Sequence, residues 1–388
     1  MAFRLSFLYG AIFLVIGILL PFWPLWLSAR GMSASQIGLL LAAGMLVRAF
    51  ATPFITQLGD RGGRRDRTLA LVGWAALAAY AAFSVAHGFW ALLAATVVAT
   101  MFFSALVPMG DALTMQKVQA GTLVYGRVRL WGSLSFIVAS ALAGQVVAGR
   151  SESAILWLVL GALSVTVLAC HLAPKTEAPG ATPPGRAVPT LLRDRRFVGF
   201  ALCASLLQAS HGVFYGFAAL HWRAAGLNET VIGALFAEGV IAEVVLFALS
   251  GPVVARLGPA ALLALAAVCG VVRWTALGLS TDLAVLVAAQ LLHAATFGAA
   301  QLAAMYFILR HVPAGWGATA QGLYSSTAMG LAMGLSMMLS GTLYAAFGGA
   351  AFLVMAALSL AGGAGALLLA RSAPGVATRW RSGRRDRH

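Results

Sequence analysis

The sequence predicts an all-α membrane protein of twelve transmembrane helices in two pseudo-symmetric six-helix bundles. Three observations carry this. The 388 residues are 61% hydrophobic and only 10% charged, against roughly 25% charged in a soluble globular protein. Apolar stretches of about 20 residues recur along the chain, each long enough to cross about 30 Å of hydrocarbon at 1.5 Å per residue. A pattern of the first half also returns in the second: Gly31, Ile37, Gly38, Leu40 and Gly44 recur 195 positions later as Gly226, Ile232, Gly233, Leu235 and Gly239.

The first span, near residues 5–27, begins like a leader with Arg4 and an apolar run. It lacks a small-residue cleavage site and runs into Pro21, Trp23, Pro24 and Trp26, so it reads as a retained helix with an aromatic anchor. Five more spans follow near 36–58, 68–86, 89–116, 128–149 and 153–173. The next segment, rich in proline (Pro174, Pro179, Pro183, Pro184 and Pro189), is a long polar linker that divides the spans six and six. Spans seven to twelve fall near 197–221, 230–254, 259–280, 283–309, 317–345 and 349–370. The expected organisation is an N-terminal bundle (1–173), a cytoplasmic linker (174–196), a C-terminal bundle (197–371) and a basic cytoplasmic tail (372–388). Gly330, Gly334, Ser336 and Gly341 in span eleven are small enough to let helices approach closely.

A net charge of +15 suggests nucleic acid, but the basic residues sit in short clusters between apolar runs, not on an amphipathic surface. They concentrate in alternate loops: Arg61, Arg64, Arg65 and Arg67 after span two, Lys117 and Arg127 after span four, Arg256 after span eight, the linker and the tail. By the positive-inside rule both termini and the linker are cytoplasmic, in a bacterial-type inner membrane. Cys170, Cys203 and Cys269 lie in apolar runs without metal-ligand spacing. No nucleophile–base set, zinc motif or phosphate loop appears, which excludes the common enzyme classes. A membrane sensor is the alternative outside transport.

A charge in the middle of a spanning helix costs about 2.5–3.5 kcal/mol, so each needs a partner or a purpose. These are Arg48 in span two, Asp111 in span four, Arg129 in span five, Glu238 and Glu243 in span eight, Arg273 in span nine and His293 in span ten. They are expected to face a central, water-filled cavity. Arg48 and Glu243 are separated by the 195 residues of the repeat, so pseudo-symmetry places them at matching depths, facing each other across that cavity. Beside Arg48 the Glu243 carboxylate stays ionised; with Arg48 drawn away it takes a proton. Glu243 is therefore the expected proton carrier, with Glu238 as second candidate, the proton as coupling ion and no other cofactor.

After span two the chain reads Gly59-Asp60-Arg61-Gly62-Gly63-Arg64-Arg65. This resembles the loop signature of the major facilitator superfamily, which implies two parallel six-helix halves, a substrate site between them and a loop whose charges pair in one conformation and release in the other. Tyr125-Gly126-Arg127-Val128-Arg129-Leu130-Trp131-Gly132, with Asp111 eighteen residues before Arg129, resembles the lactose permease type of sugar–proton symporter. That resemblance puts Asp111 and Arg129 in the substrate site. Glu243, Arg273 and His293 match the same family's glutamate, arginine and histidine of spans eight, nine and ten; the family's acid beyond the histidine is Thr296 here, and Glu238 is the possible substitute.

Gly110-Asp111-Ala112-Leu113, the Tyr125–Gly132 stretch and Leu292-His293 are more similar still to the phenylpropionate permease branch of the superfamily. An aromatic carboxylate requires a cation, from Arg48, Arg129 or Arg273, and flat apolar walls, from Trp131, Phe136, Phe214 or Tyr215. Gln208, His211 and Gln290 add hydrogen-bonding groups. The resemblance thus implies a monomeric, proton-coupled importer of a small organic solute such as an aromatic carboxylate. A sugar or nucleoside symporter is the alternative, and a drug–proton antiporter a weaker one because no proline lies between Gly126 and Gly149.

Overall fold

The computed structural model describes residues 1–61, 65–119, 121–175, 187–313 and 316–371, and among them no strand occurs. The first half contributes α1 (Ala2–Ala29), α2 (Ala34–Arg61), α3 (Arg65–Ser84), α4 (Gly88–Val118), α5 (Tyr125–Val147) and α6 (Ser153–Leu172). The second contributes α7 (Arg195–Ala224), α8 (Glu229–Ala248), α9 (Arg256–Leu279), α10 (Leu283–His311), α11 (residues 317–347) and α12 (Ala351–Arg371). The last two form one apolar stretch, Thr319–Leu369, broken at Gly348, whose φ of 54° only glycine adopts readily. Of the linker, the short helix Ala187–Arg193 is described; residues 176–186 and the tail 372–388 lie outside the described residues.

The repeat read from the sequence is a repeat of packing. In the first half α1 lies against α5 and α6, α2 against α4, and α3 against α4 and α6; six helices later α7 lies against α11 and α12, α8 against α10, and α9 against α10 and α12. The two halves meet through α2 on α11, its symmetry mate α8 on α5, and α1 on α7. Gly31 and Gly226 are the same turn twice, with φ of 79° and 94° between helices one–two and seven–eight.

Backbones touch at those crossings because side chains are missing there. A Cβ on Gly38 would lie 2.8 Å from the Met337 carbonyl oxygen, and one on Gly341 would lie 2.7 Å from that of Ala34. At the symmetric crossing a Cβ on Gly144 would strike the Glu229 carbonyl, and one on Gly233 that of Ser140. Small residues supply the close van der Waals packing that hydrophobicity cannot supply between helices in lipid. All four glycines lie towards the membrane end where α1–α2, α5–α6, α7–α8 and α11–α12 connect. There Arg223 donates to Glu152 across the halves and stands 3.3 Å from Glu229, sealing that end.

Helical geometry departs from regularity around the middle of the bundle. α4 is interrupted at Ser104–Ala105, α7 at Ser210–His211, α10 widens into a π segment at Ala294–Ala299 and α11 into another at Ser326–Ala332. Wide turns of this kind free backbone groups and re-aim side chains, and recur at functional sites.

Candidate functional site

Two cavities flank a shared wall. The larger, about 220 Å³, lies mainly within the first half and is walled by Trp23, Tyr80, Phe83 and Phe103. Arg48 enters it from α2. The guanidinium is deeply enclosed by the protein, yet its side chain is exposed to the cavity itself, and it has no carboxylate partner among the described residues. On the facing wall Thr96 and Thr100 are one turn apart on α4; the Thr96 hydroxyl is buried without a hydrogen-bond partner, and Gly44 leaves room for the Thr100 side chain.

Arg48 and Glu243 do not face one another. The same repeat that relates them turns each towards the fourth helix of its own half: Gly44, one turn before Arg48, packs on Thr100, and Gly239, at the corresponding place before Glu243, packs on His293. The Arg48–Glu243 pair expected from the sequence is thereby corrected. Glu243 lies instead 3.6 Å from His293 Nε2 and within the electrostatic reach of Arg129, which comes from the opposite half.

Arg129 owes its position to the motif around it. Its guanidinium lies 4.0 Å from the ring centre of Phe13 and 5.5 Å from that of Tyr9, a cation–π arrangement. A Cβ on Gly132 would come 2.8 Å from Arg129 Nη1, so the glycine three residues on is what makes space for the cation. Asp111 does not grip Arg129 in an ion pair. It accepts hydrogen bonds at Oδ1 from Tyr9 (2.5 Å) and Tyr125 (2.9 Å), and two donors on one oxygen fix its orientation.

In the second half Arg273 is fully buried and donates through Nη1 to His293 Nδ1 (2.9 Å) and Thr296 Oγ1 (2.9 Å), and through Nη2 to Gln290 Oε1 (2.5 Å). It also lies 4.6 Å and 4.7 Å from the ring centres of Phe214 and Trp274. An arginine only donates, so His293 Nδ1 must accept, which leaves the ring proton on Nε2, facing Glu243. His211 contacts Thr296 through Nε2 (3.2 Å) while its Nδ1 faces the Leu207 and Gln208 carbonyls. Thr296, where the sequence departs from the lactose permease pattern, is the node of this network.

The remaining expectations divide. Gln290 belongs to the Arg273 cluster and lies away from the Arg48 cavity. Glu238 is half-buried and takes no part in the network. Trp131 is 55% exposed on the outer face of α5, in a groove with Phe3 and Phe7, and is corrected to a lipid-facing residue. Of the loop motif, Arg65 opens α3, Gly59, Asp60 and Arg61 end α2 with side chains outside the described residues, and Arg64 lies outside them altogether. Phe136 and Phe214 line the smaller cavity, about 20 Å³, with Arg273, Gln290 and His293. Tyr215 lines both. Sequence reading did not find Tyr9, Tyr80, Phe83, Phe103, Thr96 or Thr100; aromatic and hydroxyl residues in apolar helices carry no signal of which face they occupy.

The chain matches the model of the MFS_1 like family over residues 2–355. It is 35% identical to a probable 3-phenylpropionic acid transporter of Escherichia coli (strain K12) over 359 residues, 91% of this chain and 93% of that protein. It is 28% identical to a maltose permease of Geobacillus stearothermophilus, over 94% of this chain and 93% of that one. The crystal structure of the nucleoside transporter NupG superposes with a TM-score of 0.84 at 14% identity, covering 95% of this chain and 99% of that one. An inward-facing, unoccupied bacterial homologue of the human lysosomal transporter Spinster superposes with a TM-score of 0.74 at 13% identity, over 96% and 98%. The chain belongs to the MFS_1 like family and is a multi-pass membrane transporter of the major facilitator kind, not an enzyme.

Proposed function

We propose that this transporter imports a small organic monocarboxylate bearing an aromatic ring together with a proton, by alternating access, with both termini on the cytoplasmic side of a bacterial inner membrane. The observation that carries the proposal is Arg48: a cation with no acid partner among the described residues, opening into a cavity walled by aromatic rings. An uncompensated charge in such a place is costly, and a ligand carboxylate offsets that cost with charge-assisted hydrogen bonds while its ring meets flat apolar walls. The 35% identity to a probable 3-phenylpropionic acid transporter supports this substrate class.

Glu243 is the proton carrier in this reading. Ionised, it is held between His293 Nε2–H and the field of Arg129, an attraction that spans the two halves; protonated, it releases Arg129. Gain and loss of a proton would thus change how the halves attract each other, while the glycine crossings act as the contact on which they rock. A monoanion entering with one proton moves no net charge, so only the pH gradient drives accumulation, about tenfold or 1.4 kcal/mol per pH unit.

The second reading, sugar symport, has the maltose permease likeness in its favour. Against it, Asp111, the acid expected to bind sugar hydroxyls, is already engaged by two tyrosines. Uptake of labelled 3-phenylpropionate into proteoliposomes under an imposed inward proton gradient tests the choice. Gradient-dependent uptake is expected; uptake equal to that of protein-free vesicles, with maltose or nucleosides transported instead, would overturn the aromatic-acid assignment.

A further inference from the structure

The Arg48 cavity and the Arg273 cluster belong to different halves, yet a symporter must make occupancy of one depend on the state of the other. Of the residues around the Arg48 cavity, two come from the second half, Tyr215 of α7 and Met337 of α11. Tyr215 is also part of the wall of the smaller cavity with Arg273, Gln290 and His293. It thus separates the two sites and touches both.

Three features make that wall more than packing. The Tyr215 ring stacks on His211, with centres 5.5 Å apart and planes 21° apart, and His211 reaches the Arg273 node through Thr296. The phenol lies within the electrostatic reach of both Glu243 and Arg273. Its hydroxyl, which can both donate and accept, has no hydrogen-bond partner among the described residues and is not sealed from the cavities. The neighbouring residue, Gly216, brings α7 close to Leu41 of α2 and Met337 of α11, so the wall stands where the halves meet.

We infer that Tyr215 couples the two sites: its hydroxyl responds to a carboxylate held on Arg48, and its ring carries that change to the His211–Thr296–Arg273–His293–Glu243 network. Tyr215 neither carries the proton nor supplies the charge that binds the substrate; it is a positioning residue. A carboxylate on Arg48 offers the Tyr215 hydroxyl an acceptor, and a hydroxyl donating there is no longer oriented by Glu243 and Arg273. The charged groups that act on the phenol are Glu243 and Arg273; His211 stacks on its ring, while Arg48 lines the cavity on one side and His293 the cavity on the other. The inference rests on the proposed proton symport.

The test compares proteoliposomes containing wild type, Tyr215→Phe and Tyr215→Trp. Two quantities are measured for labelled 3-phenylpropionate: accumulation driven by an inward proton gradient, and counterflow exchange with pH equal on both sides. Counterflow needs binding and rocking but no net proton movement, so the ratio of the two reports coupling alone. Tyr215→Phe, which keeps the stack on His211, is expected to lower that ratio at least about tenfold, and Tyr215→Trp to lower it as well. A ratio equal to wild type in both variants, or loss of both activities in proportion, would show that Tyr215 serves packing or binding only and overturn the inference. Wild-type uptake that ignores the proton gradient, or is absent, overturns the symport reading and the inference with it.

Discussion

Arg223 of α7 donates to the Glu152 carboxylate just before α6, Nη2 to Oε1 at 2.5 Å, joining the two halves of the transporter at one membrane face. The guanidinium holds the Glu152 carboxyl below the usual carboxylate range. A carboxyl whose affinity for protons is lowered by folding contributes stability at neutral pH, and that contribution fades as the pH falls through its depressed value. Both side chains are partly exposed, at 40% and 29%, so solvent screening limits the pair to about 1 kcal/mol or less. Glu152→Gln is expected to lower the melting temperature of the purified protein by about 1–2 °C at pH 7 in low salt. The difference should shrink as the pH is lowered into the acid range and disappear in about 1 M salt, as thermal unfolding over a pH series and at two salt concentrations will show.

The glycine crossings make a steric prediction. Gly233→Leu, or Gly38→Leu at the symmetric site, places atoms where a partner backbone carbonyl lies. Either variant should insert normally, since leucine favours the hydrocarbon, yet leave the Arg223 end open. Distances between spin labels on the α5–α6 and α7–α8 connections should lengthen by several ångströms, and uptake should fall at least about tenfold.

Arg48 sets affinity in the proposed site. Hydrogen bonds to a charged group are worth about 1.5–3 kcal/mol, or roughly ten- to a hundredfold. Arg48→Gln is expected to weaken binding of 3-phenylpropionate by that factor, read by quenching of tryptophan fluorescence, since Trp23 lines the same cavity. Arg48→Lys should fall in between, because lysine keeps the charge but loses the planar fork.

Glu243→Gln removes the proton site while keeping the shape of the side chain. Counterflow of the substrate should persist and accumulation against a gradient should disappear. Accumulation equal to wild type would move the proton carrier elsewhere, with Glu238, which lies outside the buried network, next to be tested.

Gly132→Ala tests the space kept for Arg129. The added methyl would crowd Arg129 Nη1 at 2.8 Å and the Phe13 ring at 3.0 Å. Because an arginine terminus can swing, the cost falls on position more than on folding. Uptake is expected to drop several-fold with little loss of thermal stability.

Much of the architecture was legible because a membrane imposes it. Runs of apolar residues, arginine-rich loops and the Gly31–Gly44 pattern repeated at Gly226–Gly239 are linear features, and the helices and their six-helix periodicity follow them. The ionisable residues inside the spans were also legible as a set, since Arg48, Asp111, Arg129, Glu243, Arg273 and His293 stand out against hydrocarbon. Their partners were not. Symmetry in sequence suggested that Arg48 meets Glu243, whereas each turns towards its own half, and Arg129 and His293 are what lie near Glu243.

What the sequence determined by itself is therefore the membrane, the spans, the twofold repeat and the stock of charges, each a property of composition and order along one dimension. The tertiary structure decided which charges meet, which cation stays without an acid partner, and that Tyr215 is shared by two cavities. Those outcomes depend on how each helix is rotated about its axis and how far a side chain reaches, and a rotation of one residue, about 100°, moves a side chain from the cavity to the lipid, as Trp131 illustrates.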